Sequence, residues 1–454
     1  METERELIEM MRAAAPPGQS GLDQDAVAKL RSLTTSLIAA KGGAGEEYAR
    51  FQAITQRSLC LPEALLNDWL HGAVIMVTGG TGCIGSMLMG QLAGLGPARL
   101  VSVSRGVTTG HPRIPGAEYL QADIRDRERL DTLIGDIRPD IVFHVAAQRS
   151  PGLAEIEVHR TVSTNVLGTR NVLYAAADAG VPQVVCASTG KALRPYSPDM
   201  YAASKRAAEW VASTAAHAVD MRISAGRFTH VVDNSIVLHR MYDWARSDRD
   251  DAVVRLHSSE IAFYIQSARE SAQLLLIAGL GATTGQFNVH SITDLGWPVS
   301  LLDLAVGVLA DHGSQAPIYF SGYDRGYEEI PFPGLYDPMT AGEVSPLMNA
   351  FETARVTEAP CHMVDSFPLE MAPDPKPAKL LAAMEDACAE TEDPDTIRGA
   401  LDELSWALLD VTLQAAPAQA LARSAAFADP HRGGLSAEHQ RLLAAIRRDA
   451  GLDD

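Results

Sequence analysis

Residues 73–85 read AVIMVTGGTGCIG: an apolar run that ends in Thr78 and two glycines, with further glycines at 82 and 85. The run is short and rich in β-branched residues, which marks a buried strand rather than a helix. The segment after it, SMLMGQLAGL, has helical texture. A strand that turns on glycines straight into a helix makes an anion site, because the first backbone N–H groups of a helix lack intrahelical acceptors. The glycine positions fit one such use. Gly79 permits the tight turn, Gly82 lets backbone approach a pyrophosphate, and Gly85 lets the helix pack closely on the strand. The pattern predicts a dinucleotide-binding turn built from Gly79, Thr81, Gly82, Cys83, Ile84 and Gly85.

Outward from this turn the rhythm continues. RLVSVS, IVFHVAA and QVVCAST read as further strands, separated by helix-length segments such as TVSTNVLGTRNVLYAAADAG. Strands alternating with helices imply βαβ units and a parallel sheet covered on both faces. The expected fold class is α/β, a Rossmann-type doubly wound parallel sheet with a smaller mixed substrate-binding region and helical N- and C-terminal extensions. The expected divisions are a helical extension over 1–71 and a main domain over 72–365. Within that domain the cofactor-binding core covers about 73–230 and the substrate part about 231–365. A Pro-rich joint, APDPKPAK, then leads into a helical extension of two or three helices over 366–454. At the end of the second strand an acidic residue ordinarily holds the ribose hydroxyls of NAD. This chain has Ser104 and Arg105 there, a hydroxyl and a guanidinium suited to a 2′-phosphate, so NADP is expected, with NAD as the alternative. Asp123 and Ile124, after the third strand, are expected near the adenine, and Ala146, ending the fourth, beside the cofactor.

Composition excludes several roles. A net charge of −19 over 454 residues argues against a nucleic-acid partner and against docking on anionic lipid. No apolar run approaches the roughly 18 residues of a membrane span. METERELIEMMR has no apolar core of the kind a signal peptide needs, so a cytoplasmic location is expected. The five cysteines, Cys60, Cys83, Cys186, Cys361 and Cys388, are scattered and read as reduced thiols, with no metal spacing.

The chemistry concentrates in residues 184–205, VVCASTGKALRPYSPDMYAASK. Only 6 of the chain's 38 basic residues are lysines, yet Lys191 and Lys205 both fall here. Lysine can exchange its proton where arginine cannot. Tyr201 and Lys205, four apart at the start of a helix, share one face. An ammonium beside a phenol is expected to pull the phenol down from its ordinary value of about 10, making Tyr201 a proton acceptor for a hydroxyl that loses hydride. Ser188 or Thr189, ending the preceding strand, could hydrogen-bond the same oxygen.

TGGTGCIG, the NVLGTRNVL helix with Asn165, and YAASK together resemble an extended short-chain dehydrogenase/reductase, over about 73–330. STGKALRP followed by YAASK is similar to the polysaccharide-biosynthesis branch, which includes nucleotide-sugar 4,6-dehydratases acting on UDP-N-acetylglucosamine. DIRDRERL at 123–130, RFTHVV at 227–232, FNVHSITDLGWPVSLLDLA at 287–305 and GYDRGYEE at 322–329 are further echoes. The resemblance implies that Tyr201 is the redox base, Lys205 its electrostatic partner, Lys191 the base for the sugar C5 proton and Thr189 a substrate contact. It also adds Asn165 to the cofactor site, and implies a homodimer or higher homo-oligomer.

The chain departs from the branch at one chemical position. Where the branch has Ser-Thr-Asp-Lys, this chain has Ser188-Thr189-Gly190-Lys191, so the acid that protonates the departing C6 hydroxyl is missing. RFTHVVDNSIV and Ala262 in EIAFYIQ also differ from the branch, and His230 reads either as a phosphate or catalytic contact or as a structural histidine. The expected activity is oxidation of a ring hydroxyl on a nucleotide-linked sugar or related polyol, then dehydration or epimerisation with cofactor recycling. The alternatives are a net dehydrogenase or ketoreductase, and a cofactor-binding scaffold with an impaired site.

Overall fold

The apolar run at 74–78 becomes an interior strand of a nine-stranded sheet in a computed structural model of the chain. The structure describes residues 3–43, 45–106, 112–231, 241–243, 245–246, 252–327, 332–335, 345–352, 356–371 and 373–452. Two compact units divide the chain, and neither is continuous in sequence: Met1–Ser58 with Thr229–Glu270 and Leu295–Glu328, and Leu59–Phe228 with Ser271–Asp294 and Glu329–Asp454.

The second unit holds the sheet. Its strands are β1 (Val74–Thr78), β2 (Arg99–Ser104), β3 (Glu118–Gln121), β4 (Ile141–His144), β5 (Gln183–Thr189), β6 (Arg222–Phe228), β7 (Phe287–Ile292), β8 (Thr357–Glu358) and β9 (Val364–Pro368). The order is β3-β2-β1-β4-β5-β6-β7-β9-β8. Every neighbour pair from β3 to β7 is parallel, whereas β9 runs antiparallel to both β7 and β8. The doubly wound sheet expected from the strand–helix rhythm is therefore present, with a short antiparallel edge added beyond β7. Strand order reverses between β1 and β4, and ligands of such sheets bind outside the carboxyl ends of the strands at that reversal. β4, with all four residues buried, and the almost fully buried β1 and β6 bear the near-continuous apolar pattern of strands covered on both faces.

The C-terminal part of this unit contains four α-helices among the described residues, Pro375–Glu390, Pro394–Ala415, Ala418–Ala428 and Ala437–Asp449, rather than two or three. The Pro-rich joint is the start of the first. Pro375 occupies the opening helical position, where its fixed φ and missing N–H are tolerated, and Asp374 accepts from the Lys376 N–H. The first unit packs helices Glu4–Ala14, Gln24–Ala40 and Gly45–Thr55 with Leu301–Asp311 around Leu7, Leu30, Leu37, Phe51, Val306 and Ile318. Asp23 caps the second of these by accepting from the Ala26 N–H, as the sequence around it predicts.

Candidate active site

The glycine turn is built as its spacing requires. Gly79, just past β1, has φ +75, and a Cβ there would lie 2.8 Å from the Ala146 nitrogen beyond β4. A Cβ on Gly85 would fall 2.2 Å from the Gly79 carbonyl oxygen. Both glycines therefore hold backbone segments closer than any side chain allows. Gly82, exposed and extended, is the N-cap of helix Cys83–Gly94, so the helix opens with its first N–H groups beside an unobstructed glycine. These features fit a pyrophosphate. Thr81 and Ile84 are partly exposed on the same turn, while the Cys83 side chain is buried.

Asn165 lies in a single π-helical turn, Ser163–Leu167, and is buried. It accepts from the Gln148 N–H at 2.8 Å and donates to the Gln148 carbonyl at 3.1 Å and to Ser204 Oγ at 3.0 Å. It thereby ties the chain after β4 to the helix that carries the tyrosine. Beyond β2, Arg105 is exposed among the charges of Arg160, Asp123, Arg125 and Glu157. Ser104 does not stand beside it as a second donor, because its Oγ is covered and finds no hydrogen-bond partner among the described residues. Burial pushes the Asp123 carboxyl up, but hydrogen bonds and charge from Arg125 outweigh it and hold the group below its ordinary value. Ile124 is buried against Gly168.

Helix Met200–Ala218 begins beside the end of β5 and presents Tyr201 and Lys205 one turn apart. The Lys205 ammonium is buried and donates to the Ala187 carbonyl at 2.9 Å. Thr189 is the neighbour that most lowers the pKa of the Tyr201 phenol. The expectation for this phenol needs correction. Burial dominates and raises its pKa, against the Thr189 hydrogen bond and the cation of Arg149, and Lys205 is not among the groups that lower it. Lys205 is itself pushed down by burial, with Cys186 and Glu209 opposing.

Ser188 also differs from expectation. Adjacent residues of a strand point to opposite faces, so Ser188 and Thr189 cannot both meet the phenol. Ser188 instead donates to Glu209 at 2.6 Å, inside a buried network in which Glu209 and Glu352 hold Arg227 and Arg206.

Gly190 opens a 3-10 turn, Gly190–Leu193, whose Lys191 N–H donates to Thr189 Oγ1 at 3.3 Å. Lys191 Nζ lies 3.7 Å from Asp199, which also accepts from Arg194 at 3.2 Å. Asp199 and Arg149 are the charged groups of this site that sequence reasoning missed. Asp199 at the start of a helix reads as an ordinary cap, and Arg149 reads as a loop cation.

His144 was also missed. It is buried between the Thr78 and Thr169 hydroxyls, at 2.8 and 3.0 Å, and burial together with the Lys205 cation lowers its pKa to about 3. In the other unit, His230 stacks on Phe263 with ring centroids 4.3 Å apart. Residues 232–237 of the altered RFTHVVDNSIV segment and 328–329 of GYDRGYEE lie outside the described residues. Among the described residues no group of three or more His, Cys, Asp or Glu is placed to hold a metal ion, and no helix is long and apolar enough to cross a membrane.

Residues 75–330 match the family described as polysaccharide biosynthesis protein. The probable polysaccharide biosynthesis protein EpsC of Bacillus subtilis is 26% identical over 291 residues, covering 61% of this chain and 48% of that protein. A UDP-N-acetylglucosamine 4,6-dehydratase (inverting) of Campylobacter jejuni is 31% identical over 141 residues, covering 30% of this chain and 41% of that protein. The chain thus spans about half the length of the curated relatives it matches, 48% and 47% for the first two. Among solved structures, Pen from Bacillus thuringiensis superposes with a TM-score of 0.56 at 21% identity, over 67% of this chain and 90% of that one, a likeness of fold.

Proposed function

Since the chain belongs to the polysaccharide biosynthesis protein family, as an extended short-chain dehydrogenase/reductase, we propose that it is an NADP-dependent enzyme acting on a nucleotide sugar. It oxidises a ring hydroxyl to a ketone and uses that ketone for dehydration or epimerisation. The observation that carries the reading is the Tyr201 phenol, with Thr189 as its neighbour and Lys205 one turn later bonded to the Ala187 carbonyl at the carboxyl end of β5.

The cofactor, held by the Gly79–Gly85 turn and with Arg105 at its 2′-phosphate, supplies the acceptor and later the donor of hydride. The residues of the chain do the proton work. Tyr201 takes the hydroxyl proton while Thr189 fixes the orientation of the phenol. Because burial keeps this phenol protonated at neutral pH, cationic charge is needed to ready it, and Arg149 contributes part of that charge. Lys191, on the turn directly after Thr189, removes the proton beside the ketone.

The test uses UDP-N-acetylglucosamine, the substrate named for the Campylobacter jejuni relative, with less than one equivalent of NADP. Expected are many turnovers without build-up of reduced cofactor, and a fall of about 10²-fold or more in Tyr201→Phe with cofactor affinity kept. Reduced cofactor accumulating in step with product would make the enzyme a net dehydrogenase. Full turnover in Tyr201→Phe would remove the redox assignment. Gly190 favours epimerisation as the second reading, since epimerisation shares the oxidation and the C5 proton removal but expels no water.

A further inference from the structure

Asp199 is the N-cap residue of helix Met200–Ala218, and a capping aspartate ordinarily accepts a hydrogen bond from an N–H of the first turn. This one makes no such bond. The N–H of Met200, the first helical residue, goes to Glu155 Oε1 at 2.8 Å, and Glu155 is held in turn by Arg398 at 2.7 Å. The Asp199 carboxylate faces Lys191 Nζ at 3.7 Å and Arg194 NH1 at 3.2 Å, with a tenth of its side chain exposed. A side chain at the position next to Lys191 in the chain would have to displace Leu347. A Cβ on Gly190 would lie 2.7 Å from Cδ2 of the buried Leu347. Among the described residues Asp199 brings a carboxyl to Lys191, and it comes from the far side of the turn.

We infer that Asp199 is the general acid of the reaction proposed above, working with Lys191 as base, so that the enzyme dehydrates its sugar although residue 190 is glycine. This inference rests on that functional reading. Lys191 as free amine takes the C5 proton, the electron pair left on C5 forms the C5–C6 double bond, and the C6–O bond breaks. Asp199 gives its proton to the departing oxygen, which leaves as water. The hydride removed from C4 returns to C6, and the Lys191 ammonium returns its proton to C5. The proton that Tyr201 took from the C4 hydroxyl balances the one Asp199 gave, and the two exchange through solvent.

An amine at Lys191 and a carboxylic acid at Asp199, the forms the reaction needs, carry the same net charge together as an ammonium and a carboxylate. Burial raises the Asp199 carboxyl and so favours the acid form; the Lys191 and Arg194 cations oppose this, and the Glu155 charge supports it.

The experiment follows UDP-N-acetylglucosamine with NADP in D₂O, reading C5 deuterium and loss of the C6 hydroxyl by mass spectrometry. Wild type is expected to do both. Asp199→Asn should lose water elimination by about 10²-fold or more while C5 exchange and cofactor binding persist. Elimination at the wild-type rate in Asp199→Asn overturns the acid role and leaves the functional reading standing. C5 exchange without water loss in the wild type also overturns the acid role and selects epimerisation. Absence of both exchange and cofactor reduction in the wild type overturns the functional reading and the acid role with it. Should Asp199→Asn bind no cofactor, Asp199→Glu decides: partial elimination supports the role, and none in a cofactor-binding variant refutes it. Gly190→Asp combined with Leu347→Ala, placed in Asp199→Asn, should restore part of the elimination from the other side of the turn.

Discussion

Glu352→Gln is expected to destabilise the sheet-bearing unit by about 3–5 kcal/mol, the usual effect of removing one partner from a buried ion network. Arg227, Glu209, Arg206 and Glu352 are all at most 6% exposed in their side chains. Two guanidiniums face two carboxylates, so the cluster is neutral. Glu352 accepts from Arg227 at 2.8 and 3.0 Å and from Arg206 at 3.4 Å, and it also accepts from the Asn349 N–H at 3.2 Å. A glutamine keeps the shape but leaves one uncompensated positive charge in a site with almost no water. Urea denaturation followed by tryptophan fluorescence reads the difference. The electrostatic origin is checked with Arg206→Met in the same background, which returns the cluster to neutrality and should recover a sizeable part of the loss. The two changes share partners, so they should not add. A loss below about 1 kcal/mol in Glu352→Gln, or a double variant at least as unstable as the sum of the singles, would refute the reasoning.

Arg105→Ala should weaken NADP binding by about 10–100-fold, the scale of one charge-assisted hydrogen bond, and leave NAD binding nearly unchanged; titration with both dinucleotides reads this, and equal effects on the two would remove Arg105 from the 2′-phosphate. Lys191→Met should stop solvent deuterium entering C5 while cofactor reduction by the substrate continues, and persistent exchange would place the base elsewhere. Stability should fall as pH drops from about 7 to 5. His144 has its pKa lowered from 6.5 to about 3 by burial, so between those values the unfolded chain binds the extra proton and the folded chain does not. The deficit at pH 5 is about 2 kcal/mol for this histidine, and His144→Gln should flatten that part of the profile; an unchanged slope would mean that His144 titrates normally.

The glycine turn was legible because two of its demands are local: the left-handed φ of Gly79 and the 2.2 Å approach at Gly85 involve residues within one turn of chain. Tyr201 and Lys205 were legible for the same reason, since helical spacing alone puts them on one face. The direction of Ser188 was available from strand alternation and was missed by treating Ser188 and Thr189 as interchangeable. The lowered phenol expected at Tyr201 failed on burial, which a sequence does not display. Asp199 was illegible for a different reason. Its place beside Lys191 depends on how the chain turns between the two residues, and the Leu347 methyl that crowds position 190 comes from far along the chain. The Pro-rich joint was misread because proline breaks helix interiors but opens helices, and position alone separates the two uses.

The turn that bears Lys191 has few means of holding itself in place. Gly190 offers no side chain, and four residues of 3-10 geometry form poor internal hydrogen bonds. Its carbonyls are taken from outside: Arg206 donates to Ala192 at 3.3 Å and Asn349 to Leu193 at 2.6 Å. The segment that continues to Asp199 is held by helix Pro394–Ala415. Tyr196 donates to Asp402 at 2.7 Å and stacks on Trp406 at 3.9 Å, with Arg441 of the last helix over the other ring system at 3.6 Å. Arg398 of the same helix holds Glu155, which accepts the Met200 N–H, and Thr412 accepts from Arg206. Asn349 and these C-terminal helices all lie beyond the 75–330 that match the family. An acid supplied from across a turn works only if both arms of the turn are fixed to within a few tenths of an ångström. In this chain the C-terminal helices supply contacts of that kind to the segment leading to Asp199.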